Sequence, residues 1–261
     1  MSTSIRGTQT VSRALAVLQQ ISDRHPAGLG IAEIAHTEGL DRATAYRLAS
    51  CLLEWGLVTR DAGKRYRLGV QAMSLGLASM RKAPIIGQVQ PVMRRLARRT
   101  EDTVFLVVRN GDYGHCLHFE EGAYPVKAMV MQVGGMRVLG LGSASIALLA
   151  KQGNAEVDAL YQRHVDEFTP YGVTPHKLGN ILSTARKLGF SSTQGLVAKG
   201  VGGVGVGFEL RPGNHAAISI AAISSRMRDQ RKRWIADLII EELHTSGFRP
   251  FTLATDASVT P

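Results

Sequence analysis

The sequence has few of the residues that mark secreted, metal-binding or membrane proteins. Its two cysteines, Cys51 and Cys116, have a spacing that fits neither a disulfide framework nor a thiolate metal site. No apolar run approaches the roughly 18–20 residues of a membrane span. The N-terminus lacks the apolar core of a signal peptide. We therefore expect a cytoplasmic protein in a reducing compartment, with no membrane partner.

Motifs of catalysis and cofactor binding are also scarce. The chain has no G-x-S-x-G elbow and no H-E-x-x-H sequence. Residues 200–205 satisfy G-x-G-x-x-G, but residues 206–210 are typical of a strand, whereas a dinucleotide site needs a helix there. His115 and Cys116 begin an H-C-x-H sequence, yet alternation along a strand sends them to opposite faces. The sequence predicts no enzyme: no catalytic residue, no metal site and no cofactor.

Positive charge is the strongest compositional feature. The formal net charge is +10 at pH 7. Residues 1–82 carry 11 Lys and Arg against 6 Asp and Glu, and residues 83–261 carry 20 against 15. The first part is shorter and therefore more densely basic, which favours a polyanionic partner such as nucleic acid. At 261 residues and 44% hydrophobic content, the chain can form two modest domains.

Residues 41–56 show the helical period most clearly, with Asp41 as a predicted N-cap and Gly56 just past the end. The apolar arc of this helix is predicted from Ala45, Leu48, Ala49, Leu52, Leu53 and Trp55. Its first turn offers small and basic residues to the outside: Arg42, Ala43, Thr44, Tyr46 and Arg47. Small side chains beside arginines suit a helix that enters the major groove of DNA. Taken alone, the pattern also fits an ordinary amphipathic surface helix.

The flanking segments favour the DNA-binding interpretation. Residues 10–23 predict a helix capped by Thr10 or Ser12, and residues 31–37 a second helix before the turn. Residues 57–60 and 65–68 predict two strands joined by a loop at 61–64. This order is a winged helix-turn-helix. Its candidate contacts to the DNA backbone are basic or hydroxyl residues: Ser12, Arg13, Arg60, Arg65 and Arg67.

The remainder predicts an α+β sensor domain. Helices are expected at 70–82, 86–99, 143–151, 155–163, 174–188 and 226–244. Strands are expected at 103–109, 114–119, 126–133, 190–192, 202–210 and 216–224. The predicted domains are a winged helix-turn-helix at 1–69, a linker helix at 70–82, the sensor domain at 83–250 and a tail at 251–261.

A ligand site is predicted where residues 134–144 lead into a helix. The free N–H groups and hydroxyls at Ser143, Ala144 and Ser145 form a natural cradle for a carboxylate. The surrounding loop and wall residues are predicted to be Met129, Met131, Met136, Leu139, Gly140, Leu141 and Gly142, with Cys116 and Ser219 facing the same cavity. The effector would be a small organic anion, with an aromatic acid as one option. Alternatively, the glycines only form a tight turn and the methionines are core.

Several stretches resemble the IclR family of bacterial transcription factors (isocitrate lyase regulator). TVSRALAVLQQIS is similar to the family's first helix, and GLGIAEIAHTEGLDRATAYRLASCLLEWGLVTRD to its helix-turn-helix. VGGMRVLGLGSASIALLA resembles the pocket loop and following helix. The resemblance implies a GAF-like C-terminal domain that holds a small organic ligand, and a dimer or dimer of dimers on operator DNA. The chain departs from the pattern at Gly140, Leu141 and Gly142, where most members carry polar residues.

We therefore predict a sequence-specific transcriptional regulator that binds double-stranded operator DNA as a homodimer or homotetramer. A small organic acid would control it. The alternatives are a small-molecule-binding enzyme and an interaction module, each with a GAF-like domain and no operator recognition.

Overall fold

The computed structural model describes residues 8–24, 27–81, 84–211 and 213–251. The chain divides into two compact units, Met1–Ala83 and Pro84–Pro261, here called the N-terminal and C-terminal units. The predicted linker helix therefore belongs to the N-terminal unit. The expectation for residues 252–261 of the tail lies outside the described residues, as does that for residue 82 of the linker. No helix within the described ranges is long and apolar enough to cross a membrane.

The N-terminal unit has the predicted order of elements. Its helices are α1 (Gln9–Asp23), α2 (Ile31–Thr37), α3 (Arg42–Glu54) and α4 (Val70–Arg81), and its strands are β1 (Val58–Arg60) and β2 (Tyr66–Leu68). The two strands pair antiparallel, with Val58 opposite Leu68 and Arg60 opposite Tyr66. The winged helix-turn-helix is confirmed.

The core of this unit lies between the helices and the strand pair. Its buried residues include Val17, Ile21, Ile34, Ala45, Leu48, Ala49, Leu52, Val58 and Tyr66. The predicted apolar arc of α3 was too wide, because Leu53 is 41% exposed and Trp55 71% exposed. Leu53 lies about 100° around the helix from Leu52, off the narrow stripe that meets α1 and α2, and Trp55 is the C-cap residue.

Helix ends in the N-terminal unit follow capping chemistry in α3 and not in α1. The N–H of Thr44 donates to Oδ1 of Asp41 at 2.9 Å, as expected of an N-cap aspartate. Gly56 has φ +65°, which a glycine adopts without a steric penalty. The N-cap of α1 is Thr8, whose side chain makes no capping hydrogen bond to the helix, so the predicted cap at Thr10 or Ser12 was wrong.

The C-terminal unit is built on an antiparallel sheet with strand order β5-β4-β3-β8-β7-β6, and β9 pairs with β7. The strands are β3 (Thr103–Asn110), β4 (Tyr113–Glu120), β5 (Met136–Val138), β6 (Ser191–Gln194), β7 (Val201–Arg211), β8 (Asn214–Ile223) and β9 (Arg249–Pro250). The helices are α5 (Pro84–Thr100), α6 (Ser143–Ala150), α7 (Asn154–Arg163), α8 (Val165–Phe168), α9 (Pro175–Leu188) and α10 (Asp229–Thr245).

Helices cover both faces of this sheet. Leu106 and Ile218 face α5 and α10 in one core, while Phe105 and Ala217 face α6 and α9 in the other. Adjacent strand residues therefore point to opposite cores, as the two-residue period of a strand requires. The three layers place the start of α6 directly over the middle of the sheet.

The predicted strand at 126–133 was wrong. Residues 121–135 form a loop. It bends where the N–H of Val130 donates a hydrogen bond to the carbonyl of Ala128. The edge position that this segment would take is occupied by β5, whose Met136 pairs with His115 of β4. Alternating apolar residues predicted a strand here, but Ala128 is the segment's only buried side chain, so no core face holds it in a sheet.

Candidate DNA-binding surface and effector cavity

The first turn of α3 lies on the surface of the N-terminal unit. Arg42, Ala43, Tyr46 and Arg47 are exposed, and Thr44 is half-buried. Since this turn carries both arginines and small side chains, it can approach the base edges of a duplex. Helical geometry brings these predicted residues together because they occupy consecutive positions.

A short hydrogen-bond relay orders the side chains of this turn. The hydroxyl of Thr44 donates to Oδ2 of Asp41 at 2.6 Å, and Nη2 of Arg47 donates to Oγ1 of Thr44 at 3.1 Å. The hydrogen bonds from the side chain and backbone of Thr44 lower the pKa of Asp41 below its ordinary value. Arg47 is therefore held beside Thr44 on the exposed side of α3.

The arginines of the strand pair differ in the contacts that their guanidinium groups make within the protein. Arg60 is exposed, with its guanidinium carbon 5.5 Å from the centroid of the Tyr66 ring. Arg65 donates from Nε to the carbonyl of Ala27 at 3.0 Å and from Nη2 to that of Gly28 at 2.7 Å. Arg67 donates twice to Oδ2 of Asp61.

These contacts change the expectation for the wing. Arg65 also pairs with Glu33, so its guanidinium fastens β2 to the turn before α2. Arg60 keeps the more accessible charge for a phosphate contact. On α1, Ser12 and Arg13 are both exposed. The DNA contacts of all four residues and of Arg67 stay predictions.

The cavity of the C-terminal unit lies between the sheet and the start of α6. The space within it that no atom fills is about 520 Å³, a figure that includes the part open to solvent. Residues of β3, β7 and β8 and of the loops at 130–131 and 197–198 line it. The described lining residues are Phe105, Val107, Val130, Met131, Arg137, Leu141, Gly142, Ser143, Ala144, Ser145, Thr193, Val197, Ala198, Val201, Gly202, Gly203, Ser219 and Ala221.

The start of α6 lines this space. Gly142 is the N-cap residue, with φ +89° and no side-chain cap. The first backbone bond of the helix runs from Ile146 to the carbonyl of Gly142 at 2.9 Å, so the N–H groups of residues 143–145 precede it. Gly205 allows this close approach of α6 to β7, because a Cβ there would lie 2.6 Å from the carbonyl oxygen of Ser143.

Three serines that are themselves little exposed line the same cavity, and their hydroxyls make no hydrogen bond to the described part of the chain. They are Ser143, Ser145 and Ser219, which are 8%, 2% and 6% exposed. Polar groups of residues that are this little exposed usually have a partner. Their arrangement indicates that a polar ligand or solvent completes the cavity.

Arg137 adds a cation to this set. Its Nη2 donates to the carbonyl of Val130 at 2.8 Å, and a Cβ on Gly142 would lie 3.2 Å from its Nη1. Desolvation lowers the pKa of this arginine below its ordinary value. The guanidinium therefore lies beside the first turn of α6.

The predicted effector residues fall into two groups. Met131, Leu141, Gly142, Ser143, Ala144, Ser145 and Ser219 line the cavity. Five others do not, and the structure corrects these assignments: Cys116, Met129, Met136, Leu139 and Gly140.

Burial and exposure explain the five corrections. Leu139 is fully buried in the core, and a Cβ on Gly140 would meet Leu178, Leu149 and Phe168. Cys116 is buried on β4, where burial raises the pKa of its thiol to about 11. Met129 is 44% exposed on the loop. Met136 lies half-buried on the edge strand β5.

The lining residues that sequence reasoning missed come from distant segments. They include Phe105 on β3, Arg137 on β5, Thr193 on β6 and Val197 in the β6–β7 loop. Only Arg137 had a local signal, since it is a cation within an otherwise apolar and glycine-rich loop. Phe105, Thr193 and Val197 reach the cavity because their strands pair in one sheet, and the local sequence does not show that pairing.

The structure also gives the setting of the two motifs that were set aside. Residues 202–205 belong to β7, which continues to Arg211 without a following helix, so the G-x-G-x-x-G sequence is not in a dinucleotide-binding setting. Within the described ranges, no three His, Cys, Asp or Glu side chains lie where they could hold one metal ion.

A winged helix-turn-helix whose α3 has an exposed basic start, followed by an α/β unit with an internal cavity, is typical of the class of ligand-controlled DNA-binding regulators. The family profile for the IclR helix-turn-helix domain matches residues 10–62, and that for the bacterial transcriptional regulator IclR C-terminal domain matches residues 77–244. The chain belongs to the IclR family.

Individual relatives are similar over most of their length. The HTH-type transcriptional regulator KipR of Bacillus subtilis is 23% identical over 234 residues, covering 88% of this chain and 92% of KipR. A putative IclR transcriptional regulator from Silicibacter has a crystal structure with a TM-score of 0.78 and 27% identity, covering 91% of this chain and 94% of that one. These relatives are regulators, and the chain is a DNA-binding transcriptional regulator rather than an enzyme.

The fold is also shared with a ligand-bound structure. An IclR homologue from Microbacterium hydrocarbonoxydans, complexed with 4-hydroxybenzoate, has a TM-score of 0.68 and 20% identity, covering 91% of this chain and 100% of that one. IclR regulators bind small-molecule effectors, and the C-terminal unit is the domain that does so.

Proposed function

We propose that this regulator is a cytoplasmic homo-oligomer whose affinity for operator DNA is set by a small organic acid in the C-terminal cavity. The observation that carries the proposal is that three serine hydroxyls without a partner in the described chain line the same cavity as the uncapped start of α6. Such a start stabilises negative charge through its N–H groups and the helix dipole. A carboxylate would satisfy both the N–H groups and a hydroxyl.

The DNA side of the proposal uses the first turn of α3. Arg47 would donate twice to the O6 and N7 edge of a guanine, while Thr44 or Tyr46 would contact a thymine methyl or a phosphate. Arg42 and Arg60, both exposed, would approach the backbone. The relay from Asp41 through Thr44 supports this arrangement, because it fixes the orientation of Arg47 in advance.

Exposed apolar side chains in the N-terminal unit support the homo-oligomer. On α1, Val11 and Leu15 are exposed, and on α4, Val70, Met73 and Leu75 are exposed. Val11 and Leu15 are four positions apart on α1, and Val70 and Met73 three positions apart on α4, so each pair shares a helix face, and apolar surface grouped in this way commonly marks an interface. A second copy would cover these side chains and place two recognition helices on one duplex.

The oligomer is tested by light scattering of Leu15→Glu and Met73→Glu. Both changes should shift the protein towards the monomer and weaken operator binding, since a charge disfavours burial in an interface. Leu188→Glu is the matched control, because Leu188 is also exposed but lies on α9 of the C-terminal unit. A native mass unchanged by all three substitutions would refute the proposed interface.

The effector is tested by gel shift and calorimetry on the full chain. The operator is first selected from random DNA, and the purified regulator is then titrated with 4-hydroxybenzoate, benzoate, butyrate and pyruvate. At least one acid should bind and change operator affinity, because a ligand shifts the equilibrium only through different affinities for two states. If none of the acids binds, or if binding leaves the operator affinity unchanged, the proposed function is wrong.

A further inference from the structure

One lining residue of the cavity, Arg137, has a charge that the protein does not neutralise. Within the described part of the chain, its guanidinium donates to a carbonyl, that of Val130. Along the described chain, no Asp or Glu lies within ion-pair distance of it. Removing a cation from water costs free energy unless an anion compensates. An anionic ligand would supply that compensation.

The position of the guanidinium fixes which end of the cavity takes the anion. Nη1 lies 3.2 Å from where a Cβ of Gly142 would stand, and Gly142 is the N-cap residue of α6. The cation and the free N–H groups of the helix therefore share one end. A carboxylate placed there can accept hydrogen bonds from both, and bonds between ionised groups are stronger than neutral ones.

The number of charges limits the ligand to one carboxylate. Apart from Arg137, the lining residues that the structure describes are all neutral. A second carboxylate on the same ligand would lose hydration without meeting a cation, which is unfavourable. The serine hydroxyls of the lining suit an uncharged polar group of the same ligand.

We infer that Arg137 determines effector specificity, and that it selects a singly charged carboxylate over both the uncharged amide and a dicarboxylate of similar size. The inference rests on the proposed function and extends it to one residue and one charge class.

Calorimetry with matched ligands tests this inference on the full chain. The acids are benzoate, 4-hydroxybenzoate, butyrate and pyruvate, each paired with its amide, and the dicarboxylates are terephthalate and succinate. We expect wild-type protein to bind at least one monocarboxylate roughly tenfold or more tightly than its amide or the dicarboxylate of similar size, since each 1.4 kcal/mol is tenfold. Arg137→Gln should abolish this preference.

Two further variants separate specificity from folding. Arg137→Lys keeps the charge but loses the planar fork, so an intermediate preference for the acid is expected. Arg98→Gln removes an exposed arginine of α5 that does not line the cavity, and it should behave as wild type. Thermal melting shows whether each variant is folded.

The outcomes distinguish the inference from the proposed function. If acids bind but folded Arg137→Gln still prefers the acid to the amide, the inference is wrong and the proposed function stands. If a dicarboxylate binds wild-type protein as tightly as the monocarboxylate, the limit to one charge is wrong. If neither acids nor amides bind wild-type protein, the proposed function fails and the inference fails with it.

Discussion

The two candidate sites of this regulator are assembled in different ways. The proposed base-reading residues occupy about the first one and a half turns of α3, between Arg42 and Arg47. The cavity takes residues from strands and loops spread between Phe105 and Ala221. A surface site on one helix is visible in the sequence because helical period alone brings its members together. A cavity inside an α/β unit depends on which strands become neighbours.

The two units also differ in the size of their cores. The N-terminal core packs around the fully buried aromatic ring of Tyr66. The backbone of Tyr66 also exchanges two hydrogen bonds with that of Leu29. The C-terminal unit buries two cores on the faces of its sheet. A small domain buries less of its surface and has a lower free energy of unfolding. Substitutions in the N-terminal core should therefore unfold that unit and leave the C-terminal unit folded. Four predictions test this comparison, from the largest expected effect to the smallest.

Tyr66→Ala should have the largest effect. Removing this buried ring leaves a cavity in the smaller core, and such truncations cost about 3–5 kcal/mol. We expect operator binding to be lost while the C-terminal unit still binds its acid. Melting curves and calorimetry of the same sample measure both. If Tyr66→Ala left the melting behaviour unchanged, the N-terminal core would not depend on this ring.

Arg47→Ala should cost roughly 1–3 kcal/mol in operator binding and relax the preference at one base pair. Melting should change little, because Arg47 is exposed. Gel shifts against single-base operator variants and random DNA measure this. Arg98→Ala, an exposed arginine of the other unit, is the control. Equal losses on operator and random DNA would remove the base-reading role.

Arg60→Ala and Arg65→Ala should separate phosphate contact from folding. Arg60→Ala is expected to weaken all DNA sequences alike and to reduce the salt dependence by about one phosphate contact. Arg65→Ala should instead lower stability by about 1 kcal/mol, because it loses bonds to two carbonyls in a partly exposed setting. Urea unfolding and salt titrations distinguish the two. The opposite assignment would show that the wing uses Arg65 for DNA.

The smallest expected effect is the pH dependence of stability that Asp41 contributes. The hydrogen bonds of Thr44 hold the pKa of Asp41 below its ordinary value of 3.8. Because the folded pKa is depressed, the carboxylate stabilises α3 above the unfolded pKa and loses this effect as the pH falls through the folded value. The melting temperature of Asp41→Asn should lie slightly below that of wild type at pH 6.

The difference between Asp41→Asn and wild type should narrow as the pH falls towards and below 3.8, the ordinary pKa of aspartate. Melting curves at closely spaced pH values, with both proteins in the same buffers, measure the gap. A difference that stays constant with pH would mean that the charge of Asp41 plays no part.

Much of the secondary structure followed from local sequence. The helix bounds of α2 were predicted to the residue, and Gly189 after α9 has the positive φ of a helix C-cap. The prediction failed where pairing with distant strands decides whether a segment forms a strand. Residues 126–133 alternate like a strand but lie in a loop, and β5 was missed because three residues give too short a pattern.

By itself, the sequence determined the order of the elements, the capping of α3 and the cationic turn between Arg42 and Arg47, because these depend on residues within a few positions of one another. The tertiary structure decided which serines face a common cavity, that Arg137 lies at the start of α6, and that Leu139 and Cys116 are core. The physical reason is that sheet pairing and packing join segments a hundred residues apart, and burial then decides which side chains reach the ligand.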